Sequence, residues 1–429
     1  MYHKKMMICS AVAGALVLSA CGGGPSGGGP SGGGGKISDD KVVIGVINDA
    51  TGVYKDLSGP NSVEAVNMAV ADYKKKYCDD AVAADIEVVS ADHQNKPDVA
   101  NTKAREMYER QKADIILDVP NSAAALAVAT QAENAKKLYI NVGAGTSDLT
   151  GKQCNRYTFH WTWDTYMLAN GTASAVTQGG DKKWSIIYPD YEFGQSSDDL
   201  FTAAIEKNGG EVAEHIATPF PAPLTHIYVR RAPFPNDNFA TFLTKAGAAD
   251  PDVIGTMQGG GDLINLVKQF NQSDPKGKIN LAAGVLFLTD IRTLGAKALA
   301  GTTFTTAWYW NYDDENREWA DRFLKETGER PTSIHAENYS AAANYLEAIQ
   351  EVGTDDSDTI VDELEGKKID DFVLRNGTVR AEDHRVTHDV YLAQVKSEAE
   401  MEDEWDYEKI VKTIPADEAF RPVSGECKL

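Results

Sequence analysis

Short runs of aliphatic and β-branched residues alternate with longer amphipathic stretches over most of the chain. Residues 41–47 (KVVIGVI) are apolar at nearly every position after Lys41, as expected of a parallel strand covered on both faces. After a loop over 48–60, Val63, Val66, Met68 and Val70 recur near helical spacing and predict a helix over 62–73. The alternation continues with a strand over 86–89, a helix over 97–111 opened by Pro97, a strand over 115–118, a helix over 122–134 and a strand over 138–141. Strand and helix in turn predict a doubly wound parallel sheet.

The pattern then restarts. Helices over 167–179, 197–208, 238–246 and 263–270 separate strands over 184–188, 211–217, 253–256 and 280–288. Two successive α/β halves predict a two-lobed clamp. No G-x-G-x-x-G opens a helix after a strand and there is no P-loop, so nucleotide chemistry has no support. Beyond residue 35 there is no G-x-S-x-G, H-E-x-x-H is absent, and the eight histidines are scattered, so the chain does not read as an enzyme.

Composition adds little: 429 residues, 42% apolar and 25% charged, suit two or three domains with a sizeable core. A net charge of −22 argues against nucleic acid or an anionic lipid surface as partner. The amino terminus changes the picture more. His3, Lys4 and Lys5 precede an uncharged, mostly apolar run over 6–18, too short to span a bilayer, which ends in Leu18-Ser19-Ala20-Cys21. This resembles a bacterial lipobox, in which the signal, here 1–20, is removed and the cysteine, here Cys21, is acylated. Residues 22–35 (GGGPSGGGPSGGGG) have no apolar side chain to offset the entropy of ordering, and read as a flexible stalk about 20 Å end to end. The tether is taken as 21–38. Cys9 leaves with the signal, so Cys78, Cys154 and Cys427 remain in an oxidising compartment and allow one bridge and one leftover. Their wide spacing suits no metal site, and no motif calls for a cofactor.

Several segments, taken in order, carry a resemblance. They are VIGVINDATGVY at 43–54, the Ser58-Gly59-Pro60 turn, Glu64-Ala65, NSAAALA at 121–127, GAGTSDLT at 143–150, FHWTWD at 159–164, PDYEFG at 189–194, AWYW at 307–310 and AFRP at 419–422. Their order and spacing resemble type I periplasmic binding proteins, and among these the receptors of branched-chain amino acid and amide ABC importers. The resemblance spans about residues 41–427. It implies an α/β Venus-flytrap: two doubly wound parallel-sheet lobes joined by three crossover strands, with ligand held between them at the C-terminal ends of strands. Crossings are expected near Trp161, Ala307 and His384. One lobe would comprise 39–161 plus 308–383 and the other 162–307 plus 384–429, with 339–346 an amphipathic helix packed back on the first. The family often ties a cysteine after the third loop to one at the C-terminus, which implies a bridge between Cys154 and Cys427 with Cys78 as the leftover. One stretch departs from the family. Pro-Phe-Pro at 219–221 recurs at 233–235, and residues 222–231 between them look like a basic insertion, read as a surface loop or as a docking element.

Six loops after the expected strands, 48–54, 118–123, 141–148, 190–194, 258–262 and 289–290, hold Asp49, Asp118, Asp148, Asp190, Asp262 and Asp290, with Asp164 just past the first crossing, and no Lys or Arg. Tyr54, Trp161, Trp163, Tyr191, Phe193, Trp308, Tyr309 and Trp310 line them, though any one of these aromatics taken alone is more often core than ligand wall. Carboxylates and aromatic faces suit an ammonium group, at about 0.5–2 kcal/mol per cation–π contact, whereas a dianion finds no partner. The resemblance implies finer roles. The Ala144 carbonyl would meet the ligand ammonium, and Thr146 would give hydroxyl and N–H to its carboxylate. Ser122, beside Ala123, would add further donors, Phe193 would form a wall, and Asp290 would pair with the ammonium. Small donors at helix N-termini bind carboxylate without a basic residue, and Ser122 equally reads as a helix cap.

The expectation is a periplasmic, lipid-anchored, monomeric solute-binding protein. It would close on a small polar ligand (amino acid, amide or amine-like), deliver it to an ABC permease, and touch the membrane through its lipid alone. The same clamp would also serve a ligand-sensing receptor with a signalling partner.

Overall fold

A computed structural model describes residues 37–220, 236–273 and 277–429. The expected signal, Cys21, nearly all of the tether and the 222–231 insertion lie outside the described residues.

The first sheet is five-stranded and parallel, in the spatial order Ile86–Asp92, Val42–Asn48, Ile115–Asp118, Leu138–Asn141, Thr158–His160. Val42–Asn48 is buried at every position, which is why its sequence does not alternate, while the edge strand Ile86–Asp92 is partly exposed. Strand order reverses between Val42–Asn48 and Ile115–Asp118, the switch point at which open α/β sheets bind ligands. The helix Gly59–Tyr77 starts before the expected position because Pro60 is suited to a first turn, and it ends on Lys74, Lys75 and Lys76, which favour the negative helix end.

The second sheet is four-stranded and parallel, ordered Glu211–Thr218, Lys183–Pro189, Val253–Thr256, Asn280–Ala283. The strand expected over 280–288 stops at Ala283, and a helix, Leu288–Leu294, begins within it. Hydropathy alone cannot locate this break. It is made by Asp290, whose carboxylate takes the Phe287 N–H at 3.1 Å and caps the helix. The helix expected over 167–179 opens with Thr165–Leu168, passes through a π turn at Ala169–Ala173, and ends as Ser174–Gly179. Gly171 in that turn lies so close to Thr305 that a Cβ would overlap its hydroxyl. An antiparallel sheet of Thr303–Thr306, Val390–Val395 and Glu408–Ile414 flanks this half. Its strands were not among those expected from the pattern.

The helix Ser333–Val352 packs back along Gly59–Tyr77, tied by Tyr73 to Gln350 at 2.6 Å and Asn338 to Ser62 at 3.3 Å. The chain passes between the halves after His160, Thr306 and Thr387, and His160 and Arg385 lie side by side in a parallel bridge. Cys154 and Cys427 are joined, with Cα atoms 5.5 Å apart. Cys78, expected as the leftover, is also disulfide-bonded. The tail touches both halves. The Glu418 carbonyl is held by Asn170 of the second half, but Arg421 donates to the Ser147 carbonyl of the first at 2.7 Å.

Candidate functional site

The C-terminal strand ends of the two sheets face each other and their loops touch. Gly261 donates its N–H to the Val53 carbonyl at 3.3 Å, and the Tyr54 and Tyr191 hydroxyls share a 2.7 Å hydrogen bond. Gly260 has φ 57°, and a Cβ there would overlap the Val53 oxygen. The Gly259-Gly260-Gly261 run is therefore what lets the halves meet. Two small cavities of about 10 Å³ each, room for about one water, lie beside the meeting of the halves and share Phe287, Thr306 and Ser333.

The aspartates expected to face a ligand mostly serve their own loops. Asp49 accepts from the Gly52 and Tyr54 N–H groups at 2.8 and 2.9 Å, and burial raises it to about 6. Asp262 accepts from the Asn236 N–H at 2.6 Å and is raised by burial to about 7. Asp290, also raised by burial to about 7, is the helix cap already described. Asp164 caps the helix after the first crossing through the Met167 N–H at 2.7 Å, and lies 3.6 Å from the buried Arg385 guanidinium. It belongs to the hinge rather than to the cleft. Asp118, pushed by burial to about 7, sits at the switch point with φ 77° and is followed by Val119 at 69°. Two successive non-glycine residues in the left-handed region mark stored backbone strain.

The neutral donors and acceptors divide differently. The Ala144 carbonyl is already bonded to His160 Nε2 at 2.7 Å, which leaves one lone pair for a ligand. The Thr146 hydroxyl accepts from the Asp148 N–H at 3.2 Å and acts as a cap. The helix Ser122–Ala135 is capped by Asn121, whose side chain accepts from the Ala124 N–H at 2.9 Å. The cap reading of Ser122 thus falls to its neighbour. The Ser122 hydroxyl is buried with no partner among the described residues, and Ala123 beside it is half-buried.

Of the aromatics, Tyr54, Tyr191 and Phe193 meet at the cleft. Trp163 joins them, its ring edge-on to Phe193 at 6.0 Å and to Phe287 at 5.9 Å. Trp161 and Trp308 direct their indole N–H groups away, to Ser340 at 3.3 Å and the Phe372 carbonyl at 3.1 Å, although the Trp308 ring still borders a cavity. Phe287 and the three glycines are absent from the residues expected of the site. The glycine run after a strand was a legible signal, whereas Phe287 was concealed inside the overlong strand.

Residues 41–400 match the family model described as periplasmic binding protein. The chain belongs to the periplasmic binding protein family. This periplasmic binding protein is 38% identical to one from Burkholderia mallei, with a TM-score of 0.83 over 91% of this chain and 98% of that one. It is 31% identical to a branched chain amino acid ABC transporter periplasmic ligand-binding protein from Burkholderia xenovorans, with a TM-score of 0.77 over 90% and 98% of the two chains. It is also 24% identical over 384 residues to Leu/Ile/Val-binding protein homolog 6 of Brucella suis, covering 87% of this chain and 92% of that protein. The two parallel-sheet lobes are thus those of a type I periplasmic binding protein, a non-enzymatic solute-binding component of ABC transporters. No helix among the described residues is long and apolar enough to cross a membrane.

Proposed function

We propose that this protein is the lipid-anchored solute-binding component of an ABC importer, and that it captures a small amino acid, amide or amine by closing its two halves over it. The meeting of the two sets of strand ends, through Tyr54 with Tyr191 and Val53 with Gly261, carries the reading. These are contacts that an open hinge would part, so a ligand touching both halves favours the joined state. The cleft loops supply no Lys or Arg. They do supply the carboxyls of Asp262 and Asp290, the spare lone pair of Ala144 and the spare hydroxyl of Ser122. That set matches an ammonium and a carboxylate on one small molecule. The names of the relatives make an α-amino acid the first ligand to test.

Native mass spectrometry of protein purified without refolding should show a bound small molecule. Calorimetry against amino acids, amides, amines and dicarboxylates then classifies it. Asp290→Asn should weaken an ammonium-bearing ligand by about 2–4 kcal/mol, on the scale of breaking a buried charge pair. Tight binding of a dicarboxylate with amines silent would reject the charge reading. For the anchor, Cys21→Ser should release the protein from membrane fractions, and a variant that still pellets would reject it.

A further inference from the structure

Three buried hydroxyl or N–H groups around the closed cleft have no hydrogen-bond partner among the described residues: Ser122 Oγ, Thr289 Oγ1 and Trp163 Nε1. They come from separate parts of the chain. Ser122 opens the helix after Ile115–Asp118, Thr289 lies in the helix after Asn280–Ala283, and Trp163 follows the first crossing. Leaving a buried donor unpaired forfeits its hydration with nothing in return, so donors left spare at the meeting point of two lobes call for an acceptor from outside the chain.

Trp163 is the most constrained of the three. Its six-membered ring lies against the backbone of Gly145 so closely that a Cβ there would overlap Cζ3. Phe193 and Phe287 of the second half hold its other edges, and the residue is 6% exposed. It borders one of the two small cavities with Val285, Phe287 and Thr306. Its neighbours in sequence and class behave otherwise: Trp161, Trp184, Trp308 and Trp310 all donate their indole N–H within the protein. Trp319 also has a buried N–H without a partner, but it sits among the rings of Trp308, Phe323, Tyr339 and Phe372, where π faces surround it.

We propose that Trp163 is a specificity-determining residue of the ligand site, its indole N–H receiving a carboxylate or carbonyl oxygen of the ligand and its ring fixing how deep the apolar part of the ligand reaches. The inference rests on the reading of the cleft as a ligand site. With no cation in the cleft loops, a ligand oxygen has to be met by neutral donors, and a rigid N–H held between Gly145 and two phenylalanines is pre-organised for it. The same ring takes up the space that a larger ligand would need.

Calorimetry of the mature protein and two variants against L-leucine, L-phenylalanine and benzoate tests this. Trp163→Phe keeps an aromatic ring and removes the N–H. It should bind whichever probe the wild type binds about 10–100-fold more weakly, with a melting temperature little changed. Trp163→Leu enlarges the site and should shift preference from L-leucine toward L-phenylalanine by tenfold or more. The Trp163 indole ¹⁵N–¹H resonance, assigned by its loss in Trp163→Phe, should move when the bound probe is added, which a purely structural tryptophan would not do. Equal affinity of Trp163→Phe and wild type, or an unmoved resonance, overturns the inference and leaves the cleft reading standing. If the wild type binds none of the three, the variants are compared on whichever amino acid, amide or amine it does bind, and a wild type that binds none of these classes overturns both.

Discussion

The buried ionisable residues pull stability in opposite directions with pH. Burial raises Asp49 to about 6, Asp118, Asp262 and Asp290 to about 7, and Glu337 and Glu408 to about 8. The folded protein therefore keeps protons that the unfolded chain has released above about pH 4, and what these groups contribute is lost as pH rises to their folded values. Burial lowers His93, His335 and His388 to about 4, so their contribution rises with pH from about 4 to 6.5 and is then constant. The two effects partly cancel below pH 6.5, and above it the carboxyls act alone. Thermal stability should fall between pH 6.5 and 8, by up to roughly 1.4 kcal/mol per pH unit for each carboxyl still protonated. Calorimetric scans from pH 6 to 8.5 check this, and Glu337→Gln should flatten the slope. Arg385 is a separate case. It is fully buried beside Asp164, donates to the Thr162 carbonyl, and lies 4.3 Å over the Phe420 ring. Arg385→Leu leaves Asp164 and Glu337 without their cation and should cost about 3–5 kcal/mol by denaturant titration.

At the scale of elements, two connections between the halves can be tested apart from the ligand. Gly260→Ala puts a Cβ where the Val53 oxygen lies and forces a side chain into φ 57°. Each half can still fold, but the strand ends can no longer meet, so ligand affinity should drop at least tenfold while the melting temperature changes by only a few degrees. Unchanged affinity would show that closure at Val53 is not needed for binding. The Cys154 to Cys427 bridge closes a loop with a sequence separation of 273, nominally worth about 5–6 kcal/mol in the chain-entropy model. Much of that is not expected to appear, because residues 422–426 are largely exposed and cutting the bridge frees little beyond the tail. The double Cys→Ser variant should lose a few degrees at most and become open to proteolysis after Phe420. A global loss of folding would mean that the tail is part of the core.

For the whole molecule, the joined halves predict a change of shape that solution scattering can read. Adding a ligand found by calorimetry should reduce the radius of gyration. Tyr54→Phe, which deletes the 2.7 Å bond to Tyr191 while keeping both rings, should shift the ligand-free protein toward the more extended form. A radius indifferent to ligand and to this variant would mean that the protein does not work by hinge closure.

The sequence by itself determined the elements that bury themselves by local pattern. The unbroken apolar run of Val42–Asn48, the helix after Ser122 and the restart of the alternation near residue 167 follow from which positions must leave water, and that is written in neighbouring residues. The order and spacing of the motifs carried the family resemblance, and with it the pairing of Cys154 with Cys427. Asp49, Asp290 and Thr146 are held by donors within five residues, but what other polar groups at the strand ends do was decided by tertiary structure. Asp262 meets a backbone N–H 26 residues away, Asp164 meets Arg385 of the third crossing, and the Ala144 carbonyl meets His160. A polar group in a loop has the same local signature whether it faces a ligand or its own backbone. For the groups with distant partners the choice rests on which donors the fold holds within hydrogen-bond distance, and only the folded chain brings those donors there.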